Sequence, residues 1–74
     1  MRREKIILLL EHMGYNKRGE STYIKDVIGR SHRIEIPKQE EVSDEKLSKI
    51  IKEVAEFNKV DEGVLLKKLI LGVE

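Results

Sequence analysis

Apolar residues recur along the chain with two different periods. In Arg2–Met13, Ile6, Leu9, Leu10 and Met13 fall at i, i+3, i+4 and i+7, which puts them on one face of a helix. Ile7 and Leu8 widen the stripe, so this helix should be covered on more than one side, and Gly14 stands where a left-handed cap would close it. Between Thr22 and Pro37 the period drops to two. Runs rich in Tyr, Ile and Val flank Gly29-Arg30, and Gly at the first position of a two-residue loop suits a type II′ hairpin turn. Pairing across that turn sets Val27 opposite His32, Lys25 opposite Ile34 and Tyr23 opposite Ile36. The other face pairs Asp26 with Arg33 and Ile24 with Glu35. The expected buried face is Tyr23, Val27, Ile34 and Ile36, and the wet face carries a cross-strand ion pair. Pro37 has no N–H to donate and closes the strand.

The helical period returns after an acidic link, Lys38–Val42. Ser43 is a good N-cap, Asp44 and Glu45 suit the positive end of the helix dipole, and Leu47, Ile50, Ile51, Val54 and Phe57 form a 3.6-residue stripe ending near Asn58. Asp61 can cap a third helix carrying Leu65, Leu66, Leu69, Ile70 and Val73, with Gly63 a weak point early in it. Tyr15–Glu20 is a polar, basic connector with turn residues Asn16 and Gly19, and room for a short edge strand from which Lys17 and Arg18 project. These elements predict one α+β domain over residues 1–74, a two-layer α-β-β-(β)-α-α arrangement with an antiparallel sheet covered by helices. The third helix, 61–73, either packs over the open side of this body or offers its apolar face to a homodimer or another partner.

A chain of 74 residues buries only about 60% of its unfolded surface, so its stability margin is thin. With no Cys there is neither a disulfide nor a thiolate metal site to widen it, which fits a reducing compartment. The longest apolar run, Ile6–Leu10, is far short of the ~20 residues that span a bilayer. The expectation is a cytoplasmic protein with no membrane contact. Net charge is only +1, but Met1–Lys38 holds nine Lys and Arg against five Asp and Glu, and all five Arg lie there. Guanidinium forks suit phosphates, so the basic half points to a polyanion. The competing reading of 39% charged residues is a heavily solvated surface of the kind found in organisms that grow hot.

Candidate chemistry is sparse. His12 lies off the apolar stripe with no second His one turn away, and no metal cluster, carboxylate pair, nucleophile set or phosphate-cradling loop is present, so neither metal nor cofactor is expected. His32 is the one catalytic candidate. A histidine can take the 2′-hydroxyl proton of RNA or protonate the leaving oxygen near neutral pH, with Arg30, Arg33, Lys17 and Arg18 to meet the charge on phosphorus. The hairpin register sets it on the face of Ile34 and Ile36, where a half-buried histidine bonded to backbone or solvent is the commoner outcome.

Three stretches resemble the HicA (YcfA-like) toxins. Leu9-Leu10-Glu11-His12-Met13-Gly14-Tyr15 is similar to that family's first-helix ending, Ile34-Glu35-Ile36-Pro37 to its last strand, and Leu47, Ile50 and Ile51 to its second helix. The resemblance implies a double-stranded-RNA-binding-like fold, mRNA cleavage by a histidine of the second strand, and neutralisation by a HicB antitoxin. Two alignments place that histidine. Aligned through Pro37, Gly19-Glu20-Ser21 stands for the family's Gly-Ser and Thr22 takes the histidine's place, which is the better alignment for the fold. Aligned through Gly29-Arg30-Ser31-His32-Arg33-Ile34, His32 is catalytic, at the cost of a strand.

Three readings of function follow. In the first the chain binds RNA as a HicA-like toxin, cutting or not, with Lys17, Arg18, Lys25, Arg30 and Arg33 on phosphates and recognition through shape, backbone and 2′-hydroxyls. In the second it resembles a ribbon-helix-helix DNA-binding dimer, Ser31–Pro37 supplying the ribbon and Ser31, Arg33 and Glu35 the groove-facing side chains. In the third it is a non-catalytic interaction module that docks through its last helix. Arg33–Lys38, RIEIPK, also resembles part of the swapped-hairpin transcription-factor motif, but that fold needs strands where this chain is helical.

Overall fold

The computed structural model describes residues 1–72; Val73, expected on the apolar face of the last helix, lies outside them. The elements run α1 (Arg3–His12), β1 (Asn16–Lys17), β2 (Thr22–Val27), β3 (Arg30–Glu35), α2 (Asp44–Asn58) and α3 (Glu62–Leu71). The strands form an antiparallel sheet in the order β1-β2-β3. This is the expected α+β domain, a three-stranded sheet with three helices. Ile6, Leu9 and Leu10 of α1, Ile50, Ile51 and Val54 of α2, and Tyr23, Ile34 and Ile36 of the hairpin share one core. α3 packs on α1 and α2 through Leu65 and Leu69, both buried. That second contact explains why the apolar stripe of α1 is broad.

Local chemistry sets the helix ends. At the end of α1, Gly14 takes φ +93° while its amide bonds the Glu11 carbonyl and the Tyr15 amide bonds the Leu10 carbonyl. This is a Schellman closure, and it turns Tyr15 back over the helix into the core, where the ring is buried. The connector that reads as polar therefore begins with a core residue. Ser43 Oγ accepts the Lys46 amide at 3.3 Å to start α2, and Asp61 accepts the Gly63 amide at 2.7 Å to start α3. α1 has no side-chain cap; its Arg3 amide bonds the Glu40 carbonyl, and the Val42 amide bonds the Met1 carbonyl. The acidic link is thus tied to the N-terminus, with Val42 buried beneath it.

The hairpin departs from the expected register. Its loop is Ile28-Gly29, with Val27 paired to Arg30, Lys25 to His32, Tyr23 to Ile34 and Ile24 to Arg33. Gly29 has φ +75° at the second loop position, whereas the II′ turn expected at Gly29-Arg30 requires positive φ at the first. The shift is two residues, so each side chain keeps its face while every partner changes. The expected Asp26–Arg33 pair does not form. Asp26 instead accepts from Ser31 Oγ at 2.6 Å, and Arg33 pairs with Glu35 at 2.9 Å. Val27, expected in the core, is 43% exposed because it closes the turn beyond the reach of the helices.

Candidate functional site at the hairpin tip

The covered face of the sheet outruns the core at the hairpin tip. There Lys25, His32 and Arg30 point the same way as Tyr23 and Ile34 and meet the last turn of α2. That helix has no basic residue in its final turn, so the sheet brings cations to the negative end of its dipole. The His32 ring stacks on Phe57, centroids 4.9 Å apart and planes at 26°, and meets Tyr15 edge-on at 5.6 Å. The Arg30 guanidinium lies 4.6 Å from the centre of the Phe57 ring. Arg30, His32, Phe57, Glu53 and Glu56 line an open cleft of about 430 Å³.

A chain of hydrogen bonds behind the cleft favours one tautomer of His32. Lys25 Nζ donates to Asn58 Oδ1, which orients the amide. Asn58 Nδ2 then donates to Tyr15 Oη at 3.3 Å and to the Val54 carbonyl at 2.8 Å. The Tyr15 hydroxyl is 2.6 Å from His32 Nδ1, the acceptor left to its proton. In this arrangement neutral His32 carries its proton at Nε2, which has no protein partner among the described residues. Burial holds the His32 pKa below the ordinary imidazole value, with Glu53 opposing and Arg30 adding to the depression. Burial likewise raises the Tyr15 pKa, against the Asn58 hydrogen bond and with Glu53, so the hydroxyl keeps its proton.

The residues expected to hold nucleic acid are not all in one place. Arg30 and His32 meet in the cleft, and Lys25 stands behind them, occupied by Asn58. Arg33 is on the opposite face, paired with Glu35, while Lys17 and Arg18 lie at the far edge of the sheet in and after β1. Thr22 opens β2 and His32 lies in β3. Tyr15, Asn58, Glu53 and the placing of Phe57 were not legible as a site. Phe57 reads as the last residue of a core stripe, and only Gly14 before Tyr15 hints at a ring turned inward.

Among the described residues no group of three metal-ligating side chains is found, and no helix is long and apolar enough to cross a membrane. Comparison with family models, curated proteins and solved structures finds no match for this chain. The resemblance to HicA toxins rests on the residues quoted for it.

Proposed function

We propose that the chain is an RNA-binding protein of HicA-like type that holds a single-stranded segment in the hairpin-tip cleft and does not use His32 as a base. The observation that carries this is the grouping in the cleft: the His32 ring stacks on Phe57 beside the Arg30 guanidinium, with Nε2 without a protein partner among the described residues. A donor and a cation suit a phosphodiester, and aromatic surface suits an unstacked base. Glu53 and Glu56 supply acceptors for base amino groups and 2′-hydroxyls on the opposite rim. Abstraction of a 2′-hydroxyl proton would need the lone pair on Nε2, and hence a Tyr15 hydroxyl without its acceptor. The placing of Thr22 at the entry to β2, where the preferred alignment puts the family's histidine, agrees with binding without cleavage.

The ribbon reading is less well supported, because β3 already has β2 beside it in a three-stranded sheet, whereas a major groove admits a two-stranded ribbon. The test is a paired assay of wild type and His32→Ala on labelled single-stranded RNA in EDTA, scoring binding and cleavage together. The expected result is intact RNA with both proteins and weaker binding by the variant. Arg30→Ala should also lower the slope of log K against log salt by about 0.7, one single-strand phosphate contact. Cleavage by wild type that His32→Ala abolishes would make the protein a metal-independent ribonuclease instead.

A further inference from the structure

The two edges of the sheet are unlike. β1 is two residues long, whereas β3 presents six residues with no strand beyond it among the described residues. In an antiparallel ladder alternate residues exchange both backbone bonds with one neighbour. The Ile36 amide bonds the Ser21 carbonyl at 2.9 Å, which fixes the phase. Ile34, His32 and Arg30 bond inward to β2, and Ser31, Arg33 and Glu35 turn their N–H and C=O groups to the free edge. Beside this edge runs an open groove of about 340 Å³, with Ile34–Pro37 on one side and Lys46, Lys49 and Glu53 of α2 on the other. A six-residue edge without a covering element is a template for another strand.

The charges select which strand. α2 runs antiparallel to β3, with Lys46 and Lys49 beside the Pro37 end and Glu53 and Glu56 beside the Arg30 end. A strip basic at one end and acidic at the other complements itself under a two-fold rotation. We infer that this edge is a homodimer interface, in which the β3 strands of two copies pair antiparallel about an axis at Ile34 and make one six-stranded sheet. Arg33 of each copy then faces Glu35 of the other, and Lys46 approaches the acidic end of the other α2. The next register that keeps the backbone phase, with Arg33 at the axis, sets two guanidinium groups against each other. The interface leaves the open face of both sheets free and adjoins the hairpin-tip cleft, with Glu53 lining both.

Sedimentation of the full chain from micromolar to millimolar concentration tests this. Wild type should dimerise. Arg33→Glu alone or Glu35→Arg alone places like charges at both symmetric contacts and should raise the dissociation constant about tenfold. Both changes together restore opposite charges and should restore the dimer. Both side chains are exposed, so the fold of the monomer is not at stake. The Arg33 and Glu35 amides should also exchange more slowly as concentration rises, while that of Lys25 does not change. A chain monomeric throughout the range would overturn the inference. So would a dimer that ignores both single changes and is dissolved by Leu66→Lys with Ile70→Lys on α3.

Discussion

His32 does in this fold what its sequence neighbourhood does not announce: it is half-buried, with its Nδ1 held against Tyr15 and its pKa lowered by burial. The hydroxyl of Tyr15 is spent on Nδ1, and Asn58 and Lys25 hold that hydroxyl in place. Tyr15→Phe keeps the ring and its burial but removes the hydrogen bond that favours neutral imidazole, so the His32 pKa should rise toward the ordinary value. The histidine ring signals in an NMR titration read this directly, with His32→Gln for assignment. Linkage gives a second readout. A histidine with a depressed folded pKa binds protons more readily when unfolded, so its stabilising effect is complete above the unfolded value near ~6.5 and is lost as pH falls below it. Wild type should lose stability to urea as pH falls through and below about 6.5, with a shallower fall in Tyr15→Phe. A wild-type His32 that titrates at or above the ordinary value would contradict the protonation scheme.

At the scale of elements, the helices and the buried face were legible because burial imposes a period. Ile6, Leu9 and Leu10, and then Leu47, Ile50, Ile51 and Val54, are core residues as their spacing requires. The position of the turn was not legible for a physical reason. Registers two residues apart bury the same side chains, so alternation cannot separate them, and one Gly fits either the first position of one turn type or the second of another. The site was less legible still. Its members come from the end of α1, from β2 and β3 and from the last turn of α2, and no motif joins them. The link is Gly14, whose positive φ aims Tyr15 and beside which the Lys25 side chain passes. A Cβ there would stand 3.4 Å from Lys25 Cε. Gly14→Ala should therefore cost about 1–2 kcal/mol in denaturant unfolding through the backbone alone. Unchanged stability would mean that Ala takes the left-handed closure of α1 without strain.

On the scale of the whole molecule, charge is partitioned rather than pooled. The excess of Lys and Arg in the first half does not form one basic face: Arg3 is used on the Pro37 and Glu20 carbonyls, Lys25 on Asn58 and Arg33 on Glu35. What is left at the hairpin tip is one guanidinium, one imidazole and one aromatic face, with Glu53 and Glu56 on the opposite rim, a small site for a short stretch of a flexible chain. On α3, Leu66 is 41% and Ile70 73% exposed, so this helix, although docked, keeps an apolar flank outward. Binding at the tip and pairing at the β3 edge adjoin at Glu53, but the first turns on Arg30 and His32 and the second on Arg33 and Glu35, so mutation can separate them. The most direct measurement of the central claim is a backbone and side-chain NMR titration with a short single-stranded RNA in EDTA. The cleft account predicts the largest shifts at Arg30, His32, Glu53 and Phe57, with the His32 Nε2 proton newly protected, and smaller shifts with DNA of the same sequence. Shifts centred on α3 or on Lys17 and Arg18, or none at all, would contradict it.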